Sequence, residues 1–437
     1  MKRKTLENGL RIVVVELPHL HSVEIGIHFG TGSIDDPADK KGIAHAVEHL
    51  LFRGTSLCPD AEILDAAFEV IGGGANAGTD EETTCYYSRV HPKHTDRGMA
   101  LISSMILSHL MKDWEIEKKS IIQEIRDGLN NKQENICPIE VVNTLLWPGT
   151  DLSIPVIGDI RSVRGIKLKD AKAFIADNYT PDNAVLCVAG KVKAEDIFAS
   201  AEKYFSARKG KRAPKIQIPD LPVQTGAKLS FVRNPDSQFS VCIGFRGFSR
   251  HHDLSPVASL LKFSFCQSSG RLFSQVRGRK GLVYHIDADT SVFPSTGAFY
   301  VNFETEPNNL SDALSESVKI LWALAEKPMD EEELARHKES FIYELEYSQD
   351  SSQQIQMRYG SGEILGHMRT IEDDKVVISG ITAEMVQMTA KLLFHPQNLH
   401  IAIIGPVQKK TKTEIEGLIA NFNWGLKEEM RNRTRSG

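Results

Sequence analysis

The sequence predicts an α+β protein made of two homologous α/β sandwich domains, each with helices packed on a mostly antiparallel or mixed sheet. The chain has 437 residues, which at roughly 100–200 residues per domain corresponds to two or three domains. A stretch of about 27 residues recurs in the second half, as expected for an internal duplication. Within each half, strands and helices alternate irregularly and neighbouring strands are spaced like hairpins, which favours an α+β arrangement.

Both halves begin with the same pattern. Residues 10–30 are LRIVVVELPHLHSVEIGIHFG and residues 229–247 are LSFVRNPDSQFSVCIGFRG. Each segment indicates a strand, a short polar turn and a second strand with alternating apolar residues. The two starts are therefore expected to form equivalent strand pairs.

The clearest repeat is a helix, turn, strand and helix. One copy, IKLKDAKAFIADNYTPDNAVLCVAGKV, begins at Ile166, and the other, ITAEMVQMTAKLLFHPQNLHIAIIGPV, begins at Ile381, an offset of 215 residues. In each copy an amphipathic helix precedes a Pro-Asx turn and a buried strand that ends at Gly190 or Gly405. The shared element order predicts two homologous halves.

The segment between the halves is rich in Lys, Pro and Gly, which is typical of an extended linker. We therefore place an N-terminal domain at residues 1–210, a linker at 211–225 and a homologous C-terminal domain at 226–437. The tail EEMRNRTRSG is expected to fray.

The composition excludes several classes of protein. A hydrophobic fraction of 41% and a charged fraction of 25% are ordinary for a soluble globular chain and exclude a disordered or fibrous one. The net charge is −5 and the basic residues are scattered, so we expect no nucleic-acid partner. No run approaches about 18 apolar residues, so we expect no membrane partner. The basic start MKRK is followed by the polar TLENG, which is not a secretory signal.

The cysteines add a prediction about location. Six are present, at positions 58, 85, 137, 187, 242 and 266, with no CxxC pair. In a chain of this length they indicate reduced, mostly buried thiols. Together with the missing targeting signal, they favour a bacterial cytoplasmic location.

The segment KKGIAHAVEHLLFRGT, residues 40–55, carries the chemistry. It follows DDPAD, which supplies helix-start residues, and its apolar positions predict an amphipathic helix. His45, Glu48 and His49 stand at i, i+3 and i+4, so they share one helix face. Two imidazoles in this spacing can reach one metal ion, and the Glu between them can take a proton from water there, as in the HxxEH motif. A solvated pair of surface histidines is the alternative.

A catalytic zinc needs a third protein ligand and an open position. The later segment WEIEKKSIIQEIRDGLNN predicts a helix with Glu117 and Glu124 seven residues apart. At 1.5 Å per residue they lie about 10 Å apart along the axis, too far for both to bind one ion. Spacing alone does not choose between them, or among the acidic neighbours at positions 113, 115 and 127.

Two longer segments resemble the M16 family of zinc metallopeptidases. Residues 30–55, GTGSIDDPADKKGIAHAVEHLLFRGT, match one family block, with Asp where Glu is commoner and Arg53 where Lys is commoner. Residues 72–90, GGGANAGTDEETTCYYSRV, match a second. The similarity spans nearly the whole chain. It points to the short, two-domain type that resembles bacterial processing proteases and the mitochondrial processing peptidase β-subunit.

The resemblance assigns roles to residues of the N-terminal half. It implies that His45, His49 and Glu124 bind one Zn²⁺ per chain, that Glu48 is the general base, and that Glu117 supports the site from behind the ligands. These roles make the N-terminal domain the zinc-binding catalytic domain.

The segment around Asn76 and Ala77 has a physical interpretation of its own. The preceding glycines allow a tight turn, and TTCYYSRV predicts a strand. An open strand edge can accept a peptide as an added strand, and the Asn side chain can bond its main chain. A purely structural hairpin turn is the alternative.

The second half lacks HxxEH and contains SSGRLFSQVRGRKGLVYHIDAD instead. The family carries an Arg-x6-Tyr pair in this region, and Arg277 and Tyr284 fit it. The resemblance implies that they hold the peptide carbonyl and the oxyanion formed from it. From spacing alone, a surface Arg and a core Tyr would be the preferred interpretation.

The predicted function is a zinc-dependent endopeptidase. It would hydrolyse peptides or leader and presequence segments, held as an added β-strand inside a chamber. By resemblance, we expect a homodimer, or a heterodimer with a homologous subunit, in which the C-terminal half of one chain faces the zinc of the other. The alternative is a non-catalytic or partner-dependent subunit of a processing complex of this family.

Overall fold

The computed structural model describes residues 1–212, 224 and 226–422. Most of the predicted linker and the predicted frayed tail lie outside these residues. The described strands are β1 Lys2–Thr5, β2 Arg11–Glu16, β3 Val23–Phe29, β4 Ala75–Thr79, β5 Thr84–Val90, β6 Ala184–Gly190, β7 Lys228–Arg233, β8 Phe239–Gly247, β9 His285–Val292, β10 Gly297–Thr305 and β11 Leu399–Gly405.

The described helices are mostly amphipathic. They are α1 Ile43–Leu51, α2 Ala61–Glu69, α3 Thr95–Leu107, α4 Trp114–Asp127, α5 Pro138–Leu146, α6 Ile160–Gly165, α7 Leu168–Asn178, α8 Ala194–Phe205, α9 Ser255–Cys266, α10 Leu310–Glu326, α11 Glu331–Tyr347, α12 Ser352–Ile364, α13 Ile371–Ser379, α14 Ala383–Leu393 and α15 Lys409–Ala420. The segment Phe273–Arg279 is π-helical.

The first of two compact units comprises Met1–Asp127, Ile154–Gln217 and Glu344–Ile371. Its sheet has the strand order β1-β2-β6-β3-β5-β4, in which only the β2–β6 pair is parallel. Every residue of the central strands β3 and β6 is buried. Strands buried on both faces are typical of a sheet covered by helices on each side.

The second unit comprises Gly128–Ser153, Ile218–Tyr343 and Glu372–Gly437. Its sheet has the order β7-β11-β8-β10-β9, and only the β7–β11 pair is parallel. Alternate residues of β8, namely Val241, Ile243 and Phe245, point into the main core of this unit. The opposite face of the strand packs against α5.

The two sheets repeat one topology. Strands β2, β6, β3, β5 and β4 correspond in order and in pairing direction to β7, β11, β8, β10 and β9. The elements α7, β6 and α8 recur as α14, β11 and α15 with their bounds displaced by 215 residues. The fold class and the internal duplication predicted from the sequence are therefore confirmed.

The repeated strand ends at a glycine for a steric reason. Gly190 and Gly405 have φ angles of 138° and 148°, a region that L side chains rarely adopt. A Cβ at either position would also lie 2.3 Å and 2.6 Å from a backbone carbonyl oxygen. The matching positions in both halves thus share one backbone requirement.

One helix in each unit comes from the other half of the sequence. Helix α12 packs on β3 and β6 of the first unit, and α5 packs on β8 and β11 of the second. This exchange was not predicted. The proposed boundaries near residues 210 and 226 stay a prediction, because residues 213–223 and 225 lie outside the described part.

Two further findings bear on the sequence analysis. Among the described residues, no single helix is long and apolar enough to cross a membrane; α13 and α14 meet the length and composition only as a pair bent by 93°.

All six cysteines are free thiols, four are buried, Cys137 is half-buried and Cys266 is exposed. The prediction that the thiols are mostly buried is confirmed, and their reduced state stays a prediction.

Candidate metal centre

The start of α1 is held by a buried carboxylate. Asp36 accepts hydrogen bonds from the backbone N–H groups of Gly42 at 2.7 Å and Ala44 at 3.1 Å. Gly42 has a φ of 89°, and a Cβ there would lie 2.3 Å from the carbonyl oxygen of Ile157. The DDPAD segment therefore starts the helix as predicted, and Asp36 is the residue that does so.

Burial fixes the rotation of α1 about its axis. The predicted apolar stripe, Ile43, Val47, Leu50 and Leu51, is 0–1% exposed. Because this stripe faces the core, His45, Glu48 and His49 point together to the half-exposed side of the helix.

Helix α4 brings one carboxylate to the two imidazoles. His45 Nε2 lies 3.9 Å from Glu124 Oε1, and His49 Nε2 lies 3.8 Å from Glu124 Oε2. One potential ligand atom from each of the three residues lies within 4.8 Å of the others. The structure thus selects Glu124 from the acidic residues that spacing had left open.

The donor set fits a zinc ion. Ligand atoms about 2.0–2.1 Å from a tetrahedral zinc lie about 3.4 Å from one another. Side-chain shifts of about 1 Å or less would bring the three groups to that spacing. Burial and the nearby His49 lower the pKa of His45 to about 4, so its imidazole is neutral at pH 7, as a metal ligand requires.

Glu117 lies on the far side of His49 from Glu124. Its Oε2 accepts a hydrogen bond from His49 Nδ1 at 2.9 Å, and its Oε1 pairs with Arg53 Nε at 2.9 Å. A proton on Nδ1 leaves the Nε2 lone pair of His49 free for a metal. Nδ1 of His45, by contrast, is buried with no hydrogen-bond partner among the described residues.

The residue between the histidines has a partner that the sequence did not identify. Thr79 Oγ1 donates a hydrogen bond of 2.5 Å to Glu48 Oε2. Burial raises the pKa of Glu48 above its usual value, although the bond from Thr79 acts in the opposite direction. The only sequence signal for Thr79 was its place in the second matching block.

Asn76 and Ala77 lie on β4, the edge strand that also carries Thr79. The strand pairs with β5 on one side and, among the described residues, has no strand partner on the other. Asn76 is exposed, and its Oδ1 accepts a hydrogen bond from the N–H of Ala77 at 2.8 Å. The predicted open strand edge is therefore present next to the residue that contacts Glu48.

Arg277 and Tyr284 belong to the second unit. The Arg277 guanidinium carbon lies 4.6 Å from the ring centroid of Phe273 and 5.8 Å from that of Tyr284. Tyr284 is 79% exposed, so the interpretation of a core Tyr is wrong.

The other acidic residues of α4 have local partners: Glu115 pairs with Lys118, and Asp127 accepts a hydrogen bond from Gln123.

Two family models match the chain. One, described as insulinase (peptidase family M16), covers residues 11–159, and one described as the peptidase M16 inactive domain covers residues 165–341. The first contains HxxEH and the α4 carboxylates. The second begins at residue 165 in the N-terminal half and extends to residue 341 in the half that lacks this motif.

Similar proteins match along nearly their full length. An uncharacterised zinc protease of Bacillus subtilis, YmxG, is 30% identical over 93% of this chain and 98% of its own. An uncharacterised zinc protease of Mycobacterium tuberculosis is 28% identical over 93% of each chain. A protease structure from Helicobacter pylori aligns with a TM-score of 0.83 at 22% identity, over 93% of this chain and 99% of its own. The likeness in sequence along both halves, on a shared two-domain fold, places this chain in the M16 peptidase family, as a member of the short two-domain type.

Proposed function

We propose that this protein is a zinc-dependent endopeptidase that cleaves peptides or leader and presequence segments. The observation that carries the proposal is the meeting of His45, His49 and Glu124 beside Glu48. A general base next to an open metal position is the arrangement that hydrolysis of a peptide bond requires. Relatives named zinc proteases support the same reaction class.

The residues of the first unit have distinct roles in this reaction. A zinc ion held by His45, His49 and Glu124 would supply Lewis-acid activation of water and of the peptide carbonyl, bringing the pKa of the water to about 7. Glu48 accepts the proton of the attacking water and passes it to the leaving amine. Thr79 holds the Glu48 carboxylate in place, and Glu117 holds the ring of His49.

Peptide binding would use the open edge of β4. A substrate in extended conformation can pair with this edge as an added strand, with Asn76 and Ala77 as contact residues. Arg277 and Tyr284 would donate hydrogen bonds to the carbonyl oxygen under attack. Only peptides or unfolded segments can take an extended form, which limits the substrate class.

Metal analysis and peptide cleavage test the proposal together. The purified wild-type protein is expected to hold about one zinc per chain and to cut a mixed peptide library, read by mass spectrometry of the products. Glu48→Gln should keep the zinc and lose cleavage, whereas Glu124→Gln should lose both. Glu115→Gln is the matched control, because Glu115 lies on the same helix but pairs with Lys118. Wild-type protein without zinc and without cleavage would refute the proposal.

A non-catalytic or partner-dependent subunit is the second candidate. The observation that favours it is the match of residues 165–341 to a domain described as inactive. In that case the chain alone would cleave nothing in the library, and addition of a homologous subunit would restore cleavage. Homodimer formation and a cytoplasmic location likewise remain proposals.

A further inference from the structure

Arg277 lies on an unusual backbone segment. Residues Phe273–Arg279 form a π-helical turn, a geometry that is rare and often found at functional sites. Arg277 is exposed on this turn, and Tyr284 follows after a short loop. Neighbouring contacts fix both ends of this turn.

An ion pair fixes the start of the turn. Arg271, two residues before Phe273, donates through Nε and through a terminal nitrogen to the two carboxylate oxygens of Glu333, at 2.8 Å and 2.6 Å. Such two-point contacts between a guanidinium and a carboxylate restrict direction as well as distance. The two side chains are 26% and 17% exposed, so water competes only partly for them.

Helix α11 supplies this carboxylate from a firm position. Burial alone would raise the pKa of Glu333, but the neighbouring His337 and Arg271 outweigh it and lower the pKa to about 2. His337 is 6% exposed and lies 3.8 Å from Glu333. Glu333 is therefore ionised and held from two sides at neutral pH.

Backbone contacts fix the other end. The N–H of Leu282 donates to the carbonyl oxygen of Val276 at 3.0 Å, and Val276 is fully buried. Thr305 Oγ1 of β10 then donates to the carbonyl oxygen of Leu282 at 2.7 Å. The stretch that carries Arg277 and leads to Tyr284 is thus bonded to α11 at its start and to β10 near its end.

The Arg277 guanidinium contacts an aromatic ring and forms no ion pair with any described residue. It rests on the ring of Phe273, and no carboxylate among the described residues lies within ion-pair distance of it. Contact with a ring leaves its N–H groups free to donate to an incoming acceptor. The direction in which they point depends on the backbone of the turn, since no charged side chain of the described residues holds them.

We propose that the Arg271–Glu333 ion pair is a positioning device that orients Arg277 and Tyr284 toward a bound peptide. The proposal rests on the proposed function, because it assigns Arg277 and Tyr284 to substrate binding. Neither Arg271 nor Glu333 touches the substrate in this account. Loss of the pair leaves the two substrate-contact groups present but misdirected.

Kinetics on the full-length protein test the role. Glu333→Gln and the milder Arg271→Lys should lower kcat/KM for a cleaved peptide about tenfold, with most of the loss in kcat, because misplaced donors stabilise the oxyanion less well. In an Arg277→Ala, Tyr284→Phe background, which keeps a small residual activity, Glu333→Gln should lower kcat/KM no further, because the groups it positions are already gone. Glu332→Gln is the matched control: Glu332 is the adjacent residue of α11 and pairs only with Arg336 among the described residues.

Hydrogen exchange separates this proposal from the proposed function. Amides of residues 272–284 should exchange faster in Glu333→Gln than in wild type or Glu332→Gln, whether or not any peptide is cleaved. Unchanged exchange, or a loss of kcat/KM that persists in full in the doubly substituted background, would overturn the positioning role. If the wild type cleaves no peptide, the proposed function fails, and the exchange measurement alone decides whether the ion pair holds the turn.

Discussion

The three carboxylates around the candidate metal centre have different surroundings. Glu124 is 53% exposed, Glu117 is clamped between Arg53 and His49, and Glu48 is half-buried under Thr79. Identical side chains can take different roles when burial and partners differ. The exposed carboxylate is suited to bind a metal, the clamped one to orient a ligand, and the half-buried one to accept a proton.

Removal of the Thr79 hydroxyl tests how Glu48 is held. Thr79→Val is expected to lower kcat roughly ten- to hundredfold, the rate equivalent of about 1.5–3 kcal/mol for a hydrogen bond to a charged group. Zinc content should not change, because Thr79 contacts none of the three ligands. Thr79→Ser keeps the hydroxyl and should retain most activity. An unchanged kcat in Thr79→Val would show that the bond has no part in the reaction.

Two buried histidines predict a pH dependence of stability. Burial lowers the pKa of His28 to about 3 and that of His400 to about 4. In the unfolded chain each would titrate near 6.5. The stability that the neutral rings contribute is therefore complete above pH 6.5 and is lost as the pH falls from 6.5 through the folded-state pKa values. Between these limits the free energy of unfolding should fall by about 1.4 kcal/mol per histidine for each unit by which the pH decreases.

Single substitutions isolate the two histidine contributions. His28→Gln should remove one proton equivalent from the slope between pH 6.5 and about 3, and His400→Gln should do so only down to about pH 4. Urea unfolding at a series of pH values measures both slopes. A wild-type slope retained in either variant would mean that the replaced ring is protonated in the folded protein.

At the scale of elements, α12 meets β3 through a tight polar contact. Gln356 Nε2 donates to His28 Nε2 at 2.6 Å, and His28 is 1% exposed. The fit depends on two glycines. A Cβ at Gly26 would lie 1.8 Å from Gln356 Nε2, and one at Gly360 would lie 2.0 Å from His28 Nε2.

Paired glycine substitutions test this packing. Gly360→Ala should destabilise the first unit by about 1–3 kcal/mol, because a methyl group overfills a closed contact. Gly417→Ala is the matched control, since Gly417 also lies within a helix, α15, and nothing approaches its Cβ position within 4 Å. This control should stabilise by up to about 1 kcal/mol through helix propensity. Calorimetry measures both, and equal effects would contradict the packing argument.

At the scale of the whole molecule, the part of the chain that the structure describes holds one set of metal-site residues and one Arg277–Tyr284 pair. The duplication repeated the sheet and its flanking helices but not the HxxEH motif, which stands only in the first half. The two halves have therefore diverged in their side chains while the fold was retained. We propose that two chains combine complementary halves.

A mixing experiment tests that assembly. Light scattering should give twice the chain mass of 48.6 kDa. Glu48→Gln protein should be inactive, and Arg277→Ala, Tyr284→Phe protein should keep only a small residual activity. After subunit exchange their mixture should regain about a quarter of wild-type activity, because half of the dimers then hold one intact site out of two. A monomeric mass, or a mixture that stays inactive, would contradict sites shared between chains.

The sequence by itself determined the features that depend on spacing along the chain. The 215-residue repeat, the apolar stripe of α1 and the shared face of His45 and His49 follow from helix and strand periodicity, which acts over a few residues. The structure confirms these features.

Only the tertiary structure decided the contacts between distant segments. Glu124 rather than Glu117 approaches both imidazoles, and Thr79 donates a hydrogen bond to Glu48. Helix α5 of the first half of the sequence belongs to the second unit, and α12 of the second half belongs to the first unit. The sequence offered several acidic residues on one helix with similar local patterns. Which of them faces α1 depends on how the helices pack, and packing is set by the burial of whole faces, not by the spacing of single residues.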